Sequence, residues 1–435
     1  MDFTFPELTL HPLRTELYDE LHSRPFQVIT SPARVSHIAL LTTETQQLEQ
    51  FRHLQELHGL FGFSEPEHDV RFYEHDFGSF RLRREMHMEF ASYTFIDEID
   101  HASAPFGRTA IDSLPQGWLS RLVGEVVAAF HVDLQEVNEE PDRSQVRIKP
   151  WFEDQRLIGS SLADGSASVW GSFRLHSDGF GRFLILNRTL SNSQIGRLTQ
   201  RIIEIETYRL MALLALPLAR EISPELNDMD QQLADITQTL ADDDQTDEQQ
   251  TLTKLSGIAA RIEAFRAHST FRFSATRAYH RLVMSRLEEL REDELSGHLT
   301  IGEFMTRRLT PAVKTCESVG DRLEDLSRRI DRASELMGTR VDLSIQNQNQ
   351  QLLSSMDRRS QIQLMMQHTV EGLSVVAISY YLVALLKIGL DSAYATGLEF
   401  NKPLILGVAI PLVMVAVFFS VRRIHNRFVA LANRE

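Results

Sequence analysis

The sequence predicts an α+β domain followed by a long-helix bundle or stalk and a two-helix C-terminal transmembrane hairpin. Three observations carry that expectation. Short apolar stretches broken by turn residues fill the chain up to Leu190, and from Ser191 the apolar spacing becomes helical and stays so. No proline stands between Pro311 and Pro403. Two long apolar runs, Val370 to Leu390 and Leu404 to Val421, lie near the C-terminus, each close to the ~20 residues that cross a bilayer as a helix.

The 435 residues allow two soluble domains besides a membrane segment. Residues 1–33 read as an irregular N-terminal arm, interrupted by Pro6, Pro12, Pro25 and Pro32. Residues 34–190 form the mixed α/β domain. Val35 to Leu41 is its first strand, and Thr43 with Gln46 offers a capping box for a helix to about Leu60. Asp69 to His75 and Phe80 to Phe95 read as one hairpin around Phe77-Gly78-Ser79, and Trp118 to Phe130 as a helix. Val146 to Leu186 reads as strands turned at Asp164-Gly165 and Asp178-Gly179.

Residues 191–309 are the helical domain. Ser191 and Gln194 offer a second capping box, and Ser223-Pro224 reads as a helix restart. The acidic stretch Asp242 to Glu248 reads as a solvated turn before a helix over Thr251 to Leu295, and Thr300 with Glu303 caps a short helix. A stalk helix then occupies 310–369 and runs on into the first span, on the order of 110 Å at 1.5 Å per residue. Val319, Leu323, Leu326, Ile330, Ala333 and Met337 alternate four and three apart, a seam for another helix and the basis for expecting a homo-oligomer through the stalk.

The spans are placed at 370–390 and 404–421, joined by a short external loop at 391–403 and followed by a tail at 422–435. Arg358 and Arg359 precede the first span and Arg422, Arg423 and Arg427 follow the second, whereas the loop carries Asp391 and Glu399 against Lys402. Positive charge marks the cytoplasmic side, so both termini are expected inside. Met1 to Arg14 lacks a basic segment followed by an apolar run and does not read as a signal peptide. The single cysteine, Cys316, fits a reducing compartment. The net charge of −15 argues against nucleic acid as a partner; the lipid bilayer is the partner the spans imply.

Few residues suggest chemistry. On a strand, alternation would put Glu85, His87 and Glu89 on one face, a possible divalent-cation site beside the plainer reading of a solvated face. No other cofactor is expected. Glu49, His53 and Glu56 share one helix face and read as ordinary surface. His11, His22 and His37 lie near Arg14, Arg24 and Arg34, a set that could take an anion or simply pack the arm. Asn347 and Gln351 belong to a polar block in the stalk, and Glu371, Ser374, Ile378 and Tyr381 share a stripe of the first span. These six are candidates for a pore lining or a helix interface, since a lipid-facing carboxylate at Glu371 would be costly. No phosphate-binding loop, HExxH, CxxC or nucleophile elbow occurs, and no enzymatic activity is expected.

Several runs carry a resemblance. They include His11-Pro12-Leu13-Arg14, Glu20 with His22 and Arg24-Pro25, Ser36-His37, the Glu85 to Phe90 run, and Arg307-Arg308-Leu309 through Pro311 to Thr315-Cys316. Gln346-Asn347, Leu352 to Met356 and the distinctive Thr369 to Tyr381 complete the set. Together they resemble a bacterial family of membrane-anchored proteins defined only as a domain of unknown function. The resemblance covers nearly the whole chain and implies a bacterial inner-membrane location. In architecture alone the chain is also similar to CorA-type magnesium channels, whose Gly-Met-Asn signature is replaced here by Lys387 to Asp391. Two functions are therefore expected: a membrane-anchored cytoplasmic sensor or scaffold, or an oligomeric channel lined by the first span.

Overall fold

The computed structural model describes residues 11–20, 27–99, 104–137, 148–241, 248–395 and 401–432. His22, Arg24, most of the 242–248 acidic stretch and Glu399 lie outside the described residues. The chain divides into two compact units, Met1–Ser334 and Glu335–Glu435.

In the first unit, strands β1 (Ala33–Leu41), β2 (Phe72–Asp76), β3 (Arg81–Met86), β4 (Phe90–Glu98), β5 (Glu125–Glu136), β6 (Ile158–Leu162), β7 (Ala167–Gly171), β8 (Gly181–Asn187) and β9 (Glu292–Glu294) form one sheet. Among the described residues its order is β2-β3-β4-β1-β5-β8-β7-β6-β9. The β5–β8 pair is parallel and the others are antiparallel. Helices α1 (Arg14–Glu20), α2 (Glu44–Phe61), α3 (Asn192–Leu213), α4 (Ala215–Ala241), α5 (Glu248–Leu290) and α6 (Ile301–Ala395) complete the order up to α7 (Lys402–Ala432).

Side-chain alternation along β1 divides the core in two. Ile38 and Leu40 join Leu54 and Leu57 of α2, with Tyr93, Phe95 and Trp118. Val35 and Ala39 face the other way, with Ile195, Leu198 and Ile202 of α3, Val283 and Leu287 of α5, and Met305 and Leu309 of α6. Gly196 permits the close approach of the segment before β1. A Cβ there would lie 1.7 Å from the Gln27 carbonyl oxygen, a distance no side chain tolerates.

Several elements follow the sequence closely. The α2 N-terminus carries the Thr43/Gln46 capping box. The Ser191 backbone N–H donates to Gln194 Oε1 at 2.9 Å at the start of α3. The Asp164-Gly165 turn joins β6 to β7.

Other elements differ, each for a physical reason. The 80–95 stretch is two strands, because His87 closes a turn by donating its N–H to the Phe90 carbonyl at 2.8 Å. Residues 125–130 are strand rather than helix. Gly124 adopts φ +123°, and from Glu125 the chain pairs with β1 along the edge of the sheet, joined by β8 from Phe130 onward. The helix restart lies at Ala215, and Pro224 is absorbed inside α4. Buried Ile222, Leu226 and Met229 on either side offset the one hydrogen bond that proline removes. Helix α5 ends at Leu290, so that Glu292–Glu294 can pair with β6.

Thr300 accepts the Glu303 N–H at 3.1 Å, but the helix it caps is the long one. Helix α6 runs through Pro311 because Leu309 and Val313 are buried on both sides of it. The expected seam is buried as well. Val319, Leu323, Leu326, Ile330 and Ala333 pack against Ile222, Leu226 and Leu233 of α4 and Ile258 and Ile262 of α5. The helix that fills this seam comes from the same chain.

In the second unit, the C-terminal part of α6 and α7 are both long and apolar enough to cross a membrane, and almost none of either apolar window is buried within the protein. Ser379 and Val417 are buried here, and Lys402 Nζ lies 3.1 Å from Asp391 Oδ1.

Candidate functional site

A cleft of the first unit forms where the β3–β4 turn meets α5. Its volume is about 930 Å³, within the range of small-molecule sites. Thr42, Thr43 and Gln47 at the start of α2 line one side, Met86 to Phe90 the floor, and Tyr208 of α3 with Phe271, Ala275, Tyr279 and Leu282 of α5 the other side.

The backbone holds this turn in place. The Met86 N–H donates to the Arg71 carbonyl at 2.8 Å, and the Thr42 N–H donates to the Glu89 carbonyl at 3.1 Å. The side chains of Glu89 and α5 form a clasp. Tyr279 donates its phenolic hydrogen to Glu89 Oε1 at 2.7 Å, and Arg272 Nη1 lies 2.8 Å from Glu89 Oε2. Tyr279 also stacks on Tyr208, with ring centroids 5.6 Å apart. Burial, then the Glu89 carboxylate, pushes the Tyr279 phenol well above its ordinary range, so it remains a protonated donor. Met88 at the lip is 94% exposed, a large apolar side chain that no described residue covers.

The expected trio is therefore separated. Glu85 pairs with Arg83, His87 lies 3.6 Å from Glu85, and Glu89 turns to α5. Strand β3 ends at Met86, so alternation cannot place all three on one face. Among the described residues no group of three or more His, Cys, Asp or Glu side chains is arranged to hold a metal ion.

The other histidine sets also resolve differently. His37 is buried, with Nδ1 2.8 Å from Thr94 Oγ1 and Nε2 3.1 Å from Thr207 Oγ1. Burial, reinforced by nearby His87 and Arg83, pulls it down to about 3, so the ring is neutral. Arg34, its presumed companion, pairs instead with Asp97 across the sheet. His53 is not surface. Its Nε2 donates to the Trp118 carbonyl at 2.8 Å, and the two rings stack with centroids 4.4 Å apart. Cys316 is buried and its thiol is pushed up to about 11, which suppresses thiolate chemistry.

In the second unit, Asn347 and Gln351 are exposed on α6. Glu371 and Ser374 are half-buried; Glu371 lies 3.5 Å from His368, and Ser374 donates to the Val370 carbonyl at 2.8 Å. Ile378 and Tyr381 are exposed, Tyr381 by 68%, so the stripe is not uniformly shielded. Sequence reasoning missed Tyr208, Arg272 and Tyr279, since nothing local marks a helical tyrosine or arginine as the partner of a carboxylate more than a hundred residues away.

An α+β body with a sealed core, a cleft lined mainly by carbon, and two exposed apolar helices defines the class: a domain of unknown function with helices able to anchor in a membrane. Residues 9–428 match the family model described as protein of unknown function (DUF3422), and the chain belongs to that family. No curated protein matches the chain.

Proposed function

We propose that this protein is a membrane-anchored sensor or scaffold of the bacterial inner membrane, working by recognition rather than catalysis. The observation that carries the reading is the pair of long helices whose apolar windows lie almost wholly uncovered by the chain. In water that surface would aggregate; in a bilayer it is solvated by lipid. The arginines outside the apolar runs, against Asp391 between them, favour both ends inside. The cleft supplies the recognition site: an apolar floor beside the Glu89–Arg272–Tyr279 clasp suits a small organic molecule with one polar end.

Fusing a reporter after Glu435 and a tag at Thr396 tests the anchor. The reporter is expected to be active only in its cytoplasmic form, with the tag labelled from outside. Carbonate-extractable protein, or the opposite labelling pattern, would end the reading. A pore shared among copies is the second reading, favoured by Glu371 and Ser374, polar groups of the first span that are half-buried. Wild-type liposomes that pass no mono- or divalent cation would remove it.

A further inference from the structure

Beyond the seam that α4 and α5 fill, α6 carries a second apolar line that no described residue covers. After Met337, apolar residues resume at four-and-three spacing at Val341 and Ile345, then at Leu352, Ile362 and Met366. The intervening core positions of that heptad fall on Gln348, Ser355 and Arg359. Ile345, Leu352, Ile362 and Met366 are each at least half exposed. Every residue from 347 to 367 is exposed, so no described residue packs over this stretch of helix. Helices in water draw most of their stability from a packed face, and one this long without a partner is anomalous.

We infer that α6 pairs with the same segment of a second copy of this chain, as a parallel coiled coil over Val341 to Met366. Self-pairing suits two of the three polar core positions; Arg359, the third, can extend its guanidinium out of the seam. Gln348 meets Gln348 and Ser355 meets Ser355, side chains that both donate and accept hydrogen bonds and so satisfy one another across a twofold axis. Such polar residues in an apolar seam hold two identical helices in one register, at some cost in stability. The flanking positions favour a second copy too. Six of the eight bordering residues are uncharged, Ser344, Asn349, Gln351 and Gln363 with Met356 and Met365, and Asp342 and Arg358 are the two charged ones. Parallel direction rests on the anchoring proposed above, because two copies held in one membrane run the same way; self-association does not depend on it.

Disulfide scanning of the full-length protein in membranes tests this. In a Cys316→Ser background, cysteine replaces Ile345, Leu352 or Ile362 on the seam, or Gln350 or Asp357 on the opposite face. Paired seam positions bring Cβ atoms to within disulfide reach, whereas outward positions do not. Mild oxidation is expected to give a covalent dimer several-fold more readily at the three seam sites. Equal cross-linking on both faces, or none at any site, would overturn the inference. Native mass in mild detergent supplies the second measurement. The wild type is expected as a multiple of the chain mass, shifting toward one chain in Leu352→Glu with the melting of the body unchanged. A monomeric wild type, or a Leu352→Glu variant of unaltered mass, sinks the pairing. Neither readout depends on the topology reporters, so failure of the anchor and failure of the pairing are distinguishable.

Discussion

Tyr279 of α5 donates its hydroxyl hydrogen to Glu89 Oε1 across 2.7 Å and 190 residues of sequence. That bond, with Arg272 on the other carboxylate oxygen, ties the β3–β4 turn to the helical layer and shapes one side of the cleft. Tyr279→Phe is expected to cost about 1.5–3 kcal/mol of body stability, the range for a hydrogen bond to a charged group. Arg272→Ala is expected to cost more than Tyr279→Phe, because it leaves a largely buried carboxylate without its cation. Denaturant midpoints of the two variants check the order; equal, negligible losses would show that the clasp does not hold the turn.

Acid sensitivity follows from the buried histidines. His37 is pulled down to about 3 and His131 to about 4, both chiefly by burial, from an ordinary value of 6.5. Between those values the unfolded chain binds protons that the folded chain does not. Stability is therefore full above pH 6.5 and is lost as pH falls through the window toward 4. Each histidine contributes a slope of up to about 1.4 kcal/mol per pH unit. His37→Gln is expected to lower stability at pH 7.5 yet flatten its decline to pH 5. Parallel pH profiles for wild type and variant would contradict the assignment.

Charge in the filled seam should damage the body. Leu323 and Ile330 are buried against α4 and α5, so replacing both by Glu is expected to cost several kcal/mol and abolish cooperative melting. Leu352→Glu, on the exposed continuation, leaves that melting unchanged. If the double variant melted like wild type, the contacts along Val319–Ala333 would not be those described.

Gly196 makes a sharper test of packing. Any Cβ there collides with the Gln27 carbonyl, backbone that cannot swing aside as a flexible side chain can. Gly196→Ala is expected to detach the 27–29 segment from α3, read as new cleavage near Ile29 in limited proteolysis. Unchanged protection would mean that the helix shifts to accept the methyl group.

What the sequence determined by itself was local or periodic. The capping boxes at Thr43 and Ser191, the Asp164-Gly165 turn, the helical second half and the two apolar helices each depend on residues within a few positions of one another. The tertiary structure decided where spacing allowed two outcomes. Val126 to Phe130 is strand because it pairs with β1, and Pro224 and Pro311 are tolerated because buried apolar neighbours offset their missing donors. The partner of the Val319–Ala333 seam was equally undetermined, since a four-and-three pattern specifies that a helix packs there but not which chain provides it. The candidate site was the least legible part. Glu89 stood out among nearby ionisable groups, but Tyr208, Arg272 and Tyr279 reach it only when α3 and α5 pack over the sheet, and non-local contacts of that kind leave no mark on local sequence.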